Sequence, residues 1–280
     1  MARHVDPYRA IDRQPDPQAY VDMMESRARM PSQVRLRRRF LRFCGVRRGH
    51  RVLEVGAGTG AVSRDLARMV GPRGRVTGLD PSRVFVAAAR RLAREEGLDG
   101  RLDWRVGDGA RLPFRAGRFD CAIAVTVLLH VPNGSAILSE LVRVTRSGGV
   151  VAVQDQDMGT LVLDHPDRAL TRRILEGVAA RTYADPFSGR TLRRQLVELG
   201  LERVRLLTAV YQDTTFESFT RSMLGRRAEN AVRLGLVGAT AAARWLGEIE
   251  RMAAGGRFTL TLNFYGAAGV KPLPRGGRPR

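Results

Sequence analysis

The stretch Arg51-Val52-Leu53-Glu54-Val55-Gly56-Ala57-Gly58-Thr59-Gly60 decides how this chain is read. A short apolar run carrying one acid enters a turn with glycine at alternate positions, and the helix-like segment 61–70 follows at once. Glycine tolerates positive φ and lets the backbone approach a ligand where a β-carbon would intrude. The N–H groups at the following helix start lack intrahelical partners and face whatever binds there. A nucleotide-like cofactor suits such a turn. Gly56-x-Gly58-x-x-Ala61 also satisfies the dinucleotide fingerprint, so the turn alone leaves the cofactor open.

Outward from the turn, the pattern repeats. Apolar runs at 75–79, 102–106, 119–125 and 150–154 read as strands, and 82–96 and 135–144 read as helices. Strands alternating with helices imply βαβ units, a parallel sheet covered on both faces and right-handed crossovers. Before the turn, 1–44 reads as an arm and helical cap. Prolines at 7, 15 and 17 make 1–18 irregular, and Pro31 separates helical patterns at 19–30 and 32–43. The cofactor-binding core is expected over 45–155 and its completion over 156–210, with helices at 164–183 and 191–199, the latter stopped by Gly200. Strands at 201–210 and 257–264 bracket an insertion over 211–256, at about 45 residues too long for a tight turn and suited to covering a site. Its helices fall at 228–236 and 240–253, with Thr240 as an N-cap. A last strand within 257–268 and a disordered tail over 269–280 complete the expectation.

At 280 residues, 44% hydrophobic and 27% charged, the chain is long enough for a sizeable core. The net charge of +20 invites a nucleic-acid reading. Against it, Lys271 is the single lysine and arginines are spread over every segment, a bias that a GC-rich coding sequence explains as well. Charge speaks to association and solubility, so no nucleic-acid partner is expected. Cys44 and Cys121 sit in apolar runs without metal-ligand spacing, as buried free thiols of a reducing cytoplasm do. No metal site, signal peptide or membrane span is expected, the location is expected to be cytoplasmic, and a homodimer stays open.

Two further acids narrow the cofactor. Asp80 ends the second strand about 20 residues after Gly60, placed for ribose hydroxyls. Gly107-Asp108 ends the third strand and adds an acceptor for an amino group on a base. With these the chain resembles the class I S-adenosylmethionine-dependent methyltransferases. Val52–Gly60 is similar to their first motif, Gly78-Leu79-Asp80-Pro81-Ser82 to the second and Val106-Gly107-Asp108-Gly109-Ala110 to the third. Phe119–Ala124 and Val144–Val150 are similar to their fourth strand and the turn into the fifth. The resemblance covers 45–155 in order, and within the family it is nearest to the branch of quinone C-methyltransferases and natural-product tailoring enzymes. It implies an α/β, doubly wound Rossmann-like sheet of seven strands, the last antiparallel, with helical lid elements.

The resemblance also implies roles. Glu54 holds the methionine end of S-adenosylmethionine, and Gly56, Ala57, Gly58 and Gly60 let the cofactor lie on the turn. Asp80, with Pro81 and Ser82, grips the ribose. Gly107, Asp108, Gly109 and Ala110 frame adenine, and Thr126 sits near the methionine moiety. Such a donor brings its own electrophile, so the protein aligns the acceptor and, for O or N acceptors, removes a proton. His130, past the fourth strand, is the candidate base, beside the plainer reading that it shapes a turn. Asp155, Asp157 and His165 follow the fifth strand at the ligand-binding edge. Tyr20, Met23, Met24, Phe216, Phe219, Met223 and Trp245 are candidates to line an apolar acceptor pocket under a lid, or else pack helices. Val125-Thr126-Val127-Leu128 stands where amino-methylating DNA enzymes carry Asn/Asp-Pro-Pro-aromatic. Methyl transfer to a small, moderately apolar acceptor is therefore expected. A non-methylating biosynthetic step on the same fold, an RNA methyltransferase and an NAD-dependent oxidoreductase are the rival readings.

Overall fold

The computed structural model describes residues 6–274. Strand β1 (Arg51–Val55) is apolar and buried on both faces, as a central parallel strand must be. It pairs in parallel with β2 (Arg75–Asp80) on one side and β4 (Phe119–Val125) on the other. Next to β2 lies β3 (Leu102–Val106), and next to β4 lies β5 (Thr145–Gln156), both parallel. The direction of winding therefore reverses between β1 and β4. In open α/β sheets a reversal of this kind leaves a crevice at the carboxyl ends of the strands, where ligands bind.

Beyond β5 the sheet turns antiparallel. Strand β8 (Leu260–Val270) pairs with β5, β7 (Glu202–Asp213) and the two-residue β6 (Val162–Leu163). The sheet is thus eight-stranded, one short strand more than the seven expected, and its last strand is antiparallel as the resemblance implied.

Alternation along β1 assigns its neighbours. Val52 faces a core shared with α2 (Pro31–Phe43) and α3 (Ala61–Val70), where Phe40, Leu66 and Val70 are buried. Leu53 and Val55 face the core of α5 (Gly134–Val144) and α7 (Ser188–Glu198), which contribute Leu138, Leu141, Leu192 and Leu196. Helix α4 (Arg83–Glu95) covers Trp104 of β3 with Val86, Ala89 and Ala93. A separate core joins α6 (Arg168–Thr182), α8 (Ser218–Arg233) and α9 (Ala239–Ala254) to the near ends of β7 and β8. The two helices of the insertion are therefore longer than their sequence pattern indicated. Gly238, not Thr240, is the N-cap of α9, and no side chain caps that helix.

Two further expectations are corrected at the ends of the chain. Pro7–Arg13 is not wholly irregular: it forms 3-10 turns ahead of α1 (Pro17–Arg29), kinked at Ala10, where φ is −150° and ψ 50°. Asp12 of that turn accepts bonds from the Arg83 and Val84 N–H groups and from the Ser82 hydroxyl, so it ties the arm to the start of α4. Gly269 and Val270, expected to begin a disordered tail, instead complete β8, and Lys271 Nζ donates to the Val142 and Thr145 carbonyls at 2.7 and 2.8 Å. Those are free carbonyls at the end of α5, a site where a cation is favoured. The remainder of the expected tail, 275–280, lies outside the described residues.

Candidate cofactor and acceptor site

A cavity of about 330 Å³ opens at the reversal between β1 and β4. Its floor is the glycine turn. Gly56, Gly58 and Gly60 all have positive φ, of 70°, 53° and 83°. A β-carbon at Gly60 would stand 2.3 Å from Trp104 Cη2, and one at Gly56 would stand 2.3 Å from Val127 Cγ2. The β-carbon space at these two glycines is taken by protein side chains; Gly56 lines the cavity all the same, whereas Gly60 does not. Thr126 explains the contact at Gly56. Its φ of 57°, strained for a β-branched residue, turns the chain after β4 so that Val127 packs on the turn.

The acids at the strand ends meet here. Glu54 is 2% exposed and accepts a bond from the Ser63 hydroxyl of α3. Burial pushes its carboxyl up to about 8, against the Ser63 bond, with a smaller upward push from Asp80. Asp80 accepts from the Gly58 N–H at 2.8 Å and the Ser82 N–H at 2.9 Å, and burial still raises it to about 6. Asp108, at the end of β3, is exposed and accepts from the Ala110 N–H at 2.9 Å. No side chain caps α3, and its first residues, Ala61 and Val62, line the cavity. Uncapped N–H groups at a helix start are donors awaiting a partner.

Of the sequence candidates, Glu54, Gly56, Ala57, Gly58, Asp80, Pro81, Asp108, Gly109, Thr126, His130, Met24, Phe219 and Met223 line this cavity. Gly60, Ser82, Gly107 and Ala110 do not: Ser82 caps α4 at the Phe85 N–H, and the Gly107 N–H bonds the Asp80 carbonyl. Five acceptor candidates are corrected. Asp155 is fully buried, accepting from the Leu129 and Gln156 N–H groups, so it clamps the turn that carries His130. Asp157 pairs with Arg190 and His165 Nδ1 accepts from the Asp167 N–H. Trp245, also fully buried, donates to Thr171 Oγ1 at 2.9 Å in the helical core. Tyr20 packs edge-on to Tyr8 outside the cavity. Met23 and Phe216 likewise stay outside.

Sequence reasoning missed the opposite wall. Tyr8, Arg27, Gln33, Tyr183 and Arg226 line the cavity there, and on the sheet side Gln154 of β5, also unforeseen, lines it too. The one available signal was helical spacing: Arg27 follows Met24 by three residues and shares its face of α1. His130 stands between Tyr8 and Tyr183, with ring centroids 5.0 and 5.8 Å away, and its Nδ1 is hydrogen-bonded to Asp6.

A doubly wound sheet whose reversal point carries three strand-end acids and an uncapped helix start defines a nucleoside-cofactor-binding α/β domain. Residues 53–153 match the family described as a methyltransferase domain. An uncharacterised 37.1 kDa protein of a Streptomyces fradiae transposon is 33% identical over 228 residues, covering 81% of this chain and 64% of that protein. Methyltransferase GfsG of Streptomyces halstedii is 32% identical over 59% of each chain. The chain thus spans less than two thirds of the length of both relatives. The ubiquinone/menaquinone biosynthesis C-methyltransferase UbiE of Pseudomonas aeruginosa is 29% identical over 61% of this chain and 72% of its own. Among solved structures, a methyltransferase-type protein of Bacillus halodurans superposes with a TM-score of 0.57 at 18% identity, covering 85% of this chain and 99% of that one. The [4+2]-cyclase SpnF superposes with a TM-score of 0.52 at 24% identity, covering 86% and 81%. Both establish the shared fold. No helix among the described residues is long and apolar enough to cross a membrane, and they contain no cluster of three metal-ligating side chains.

Proposed function

We propose that the protein is an S-adenosylmethionine-dependent methyltransferase of a small, moderately apolar acceptor, of the secondary-metabolite or quinone-like kind. The observation that carries this reading is the convergence of Glu54, Asp80 and Asp108 from three successive strands on one cavity. The residues present fit the cofactor. Gln154 Nε2 is buried on the cavity wall without a partner, and the α3 start is uncapped, so donors stand ready beside the three acids.

Bound there, the cofactor supplies an electrophilic methyl group on a sulfonium centre. Glu54 receives the amino group of its methionine end, and Gln154 offers that end a hydrogen bond. Asp80 accepts from the ribose hydroxyls, Asp108 and the Gly109 backbone frame adenine, and Thr126 borders the methionine moiety. Asp6, bonded to Nδ1 of His130, fixes the ring between Tyr8 and Tyr183 and leaves Nε2 free. That nitrogen takes the proton of an O–H or N–H acceptor. The arm that carries Asp6, Tyr8 and Asp12, together with α1 and α8, excludes water from the reaction. The enzyme works in the cytoplasm, where the buried Cys44 and Cys121 stay reduced. The reading calls for neither a nucleic acid nor a second copy of the chain.

Calorimetric titration with S-adenosylhomocysteine tests the reading, and binding in the micromolar range is expected. No binding of either S-adenosylhomocysteine or S-adenosylmethionine would sink it. Products that never gain a methyl group by mass would shift the reading to a non-methylating step on the same cofactor site.

A further inference from the structure

The cavity wall formed by α1, α2 and α8 is rich in donors and holds no carboxylate. Arg27 on α1 donates from Nε to Gln33 Oε1 at 3.2 Å and lies 4.5 Å over the Phe219 ring. Neither contact neutralises its charge, and burial, with Arg226 nearby, pulls its pKa below the usual guanidinium range. Arg226, exposed at the rim, is bonded to the Ser222 hydroxyl and to Met23 Sδ, again without an acid. Gln33 is 8% exposed, and with its Oε1 held by Arg27 its Nε2 is left without a partner. Behind Tyr183 stands a third cation. Arg227 is 4% exposed, lies 5.9 Å over the Tyr183 ring and has Nε and Nη1 unpaired.

Even partial burial of a charge without a counter-ion is costly, as for the half-buried Arg27, and two guanidinium groups facing one space repel each other. An anion between them removes both penalties, and a guanidinium fork matches a carboxylate in two parallel bonds. The acids that line the cavity stand at the ends of β1, β2 and β3. Glu54 is engaged by Ser63 and Asp80 by Gly58 and Ser82, so neither serves these arginines.

We propose that the acceptor carries a carboxylate, seated between Arg27 and Arg226 with Gln33 Nε2 as a further donor, and an aromatic body against Phe219 and Tyr183. This rests on the methyltransferase reading in one respect, that the space beside the cofactor belongs to an acceptor. The same chemistry has a second possible source, the cofactor's own carboxylate, and the experiment separates the two.

Benzoate and its neutral isostere benzamide are titrated by calorimetry into the protein saturated with S-adenosylhomocysteine. Benzoate is expected to bind at least tenfold more tightly. In Arg27→Gln and Arg226→Gln the preference falls below threefold, while affinity for S-adenosylhomocysteine stays within twofold of wild type. Arg226 is exposed, so its variant reads the site even where the Arg27 variant folds poorly. Benzoate binding no tighter than benzamide, undetectable binding of both included, overturns the proposal. A tenfold loss of S-adenosylhomocysteine affinity in the Arg226 variant also overturns it, because the cation then serves the cofactor. Failure of S-adenosylhomocysteine to bind wild type refutes the proposed function alone, since benzoate against benzamide is still read in the unliganded protein.

Discussion

Replacing Glu54 with glutamine should change the stability of the ligand-free protein at one end of the pH scale and not at the other. Glu54 lies on the face of β1 that meets α3, 2% exposed, with its carboxyl pushed from 4.5 up to about 8. The folded pKa lies above the unfolded one. The stabilisation that comes from holding the proton is therefore complete below about pH 4.5 and is lost as the pH rises through about 8. At about 1.4 kcal/mol for each tenfold in proton affinity, the gap sets an upper bound of about 5 kcal/mol. Local relaxation and water entry reduce this to an expected effect of about 1–3 kcal/mol. Glutamine keeps the shape of the side chain and carries no charge at any pH. Urea titrations of the ligand-free protein should place wild type and Glu54→Gln within about 1 kcal/mol at pH 5, with the variant ahead by about 1–3 kcal/mol at pH 8. In the proposed site the ionised carboxylate pairs with a bound ammonium, so saturating S-adenosylhomocysteine should erase the advantage. The variant should also bind that ligand at least about tenfold more weakly, the loss of one buried charged partner. A stability difference that is the same at both pH values refutes the electrostatic argument. Unchanged ligand affinity refutes the role given to Glu54.

Three further substitutions have expected outcomes. Gly60→Ala should cost about 2–4 kcal/mol, because φ is 83° and the new β-carbon would stand 2.3 Å from Trp104 Cη2. Gly97→Ala, with φ of 65° and open space around it, should cost about 1–2 kcal/mol, and urea midpoints compare the two. Asp12→Ala should cost about 1 kcal/mol, as loss of a helix cap does. If the arm closes the cavity, that variant should also speed release of S-adenosylhomocysteine in stopped-flow fluorescence, and an unchanged release rate would separate capping from closure.

Much of the core was legible because its signals are local. The run 51–60 forms β1 and its turn, Asp80 and Asp108 fall at strand ends, and the order of strands and helices follows the apolar pattern. For Asp155, Asp157 and Trp245 the competing partner lay far away in the chain. Asp155 looked available at the ligand edge, yet the Leu129 N–H claims it; Arg190 claims Asp157, and Thr171 claims Trp245. The insertion read as a cover, but its aromatic residues divide. Phe219 lines the cavity, while Phe216 packs on Phe258 with ring centroids 5.1 Å apart. Composition is the same for both, and only the rotation of the chain entering α8 distinguishes them.

The sequence by itself determined the sheet's parallel half and the three acids that face its reversal point, because strand period, turn glycines and strand-end positions are properties of neighbouring residues. Tertiary structure alone decided the other wall. Tyr8, Arg27, Tyr183 and Arg226 come from four separate segments, and apart from the helical spacing of Arg27 from Met24 no local pattern marks them. They meet because α6 and α8 bury their apolar faces in one core with β7 and β8, while α1 packs on α4 and the N-terminal turn, which leaves these polar side chains around a single space.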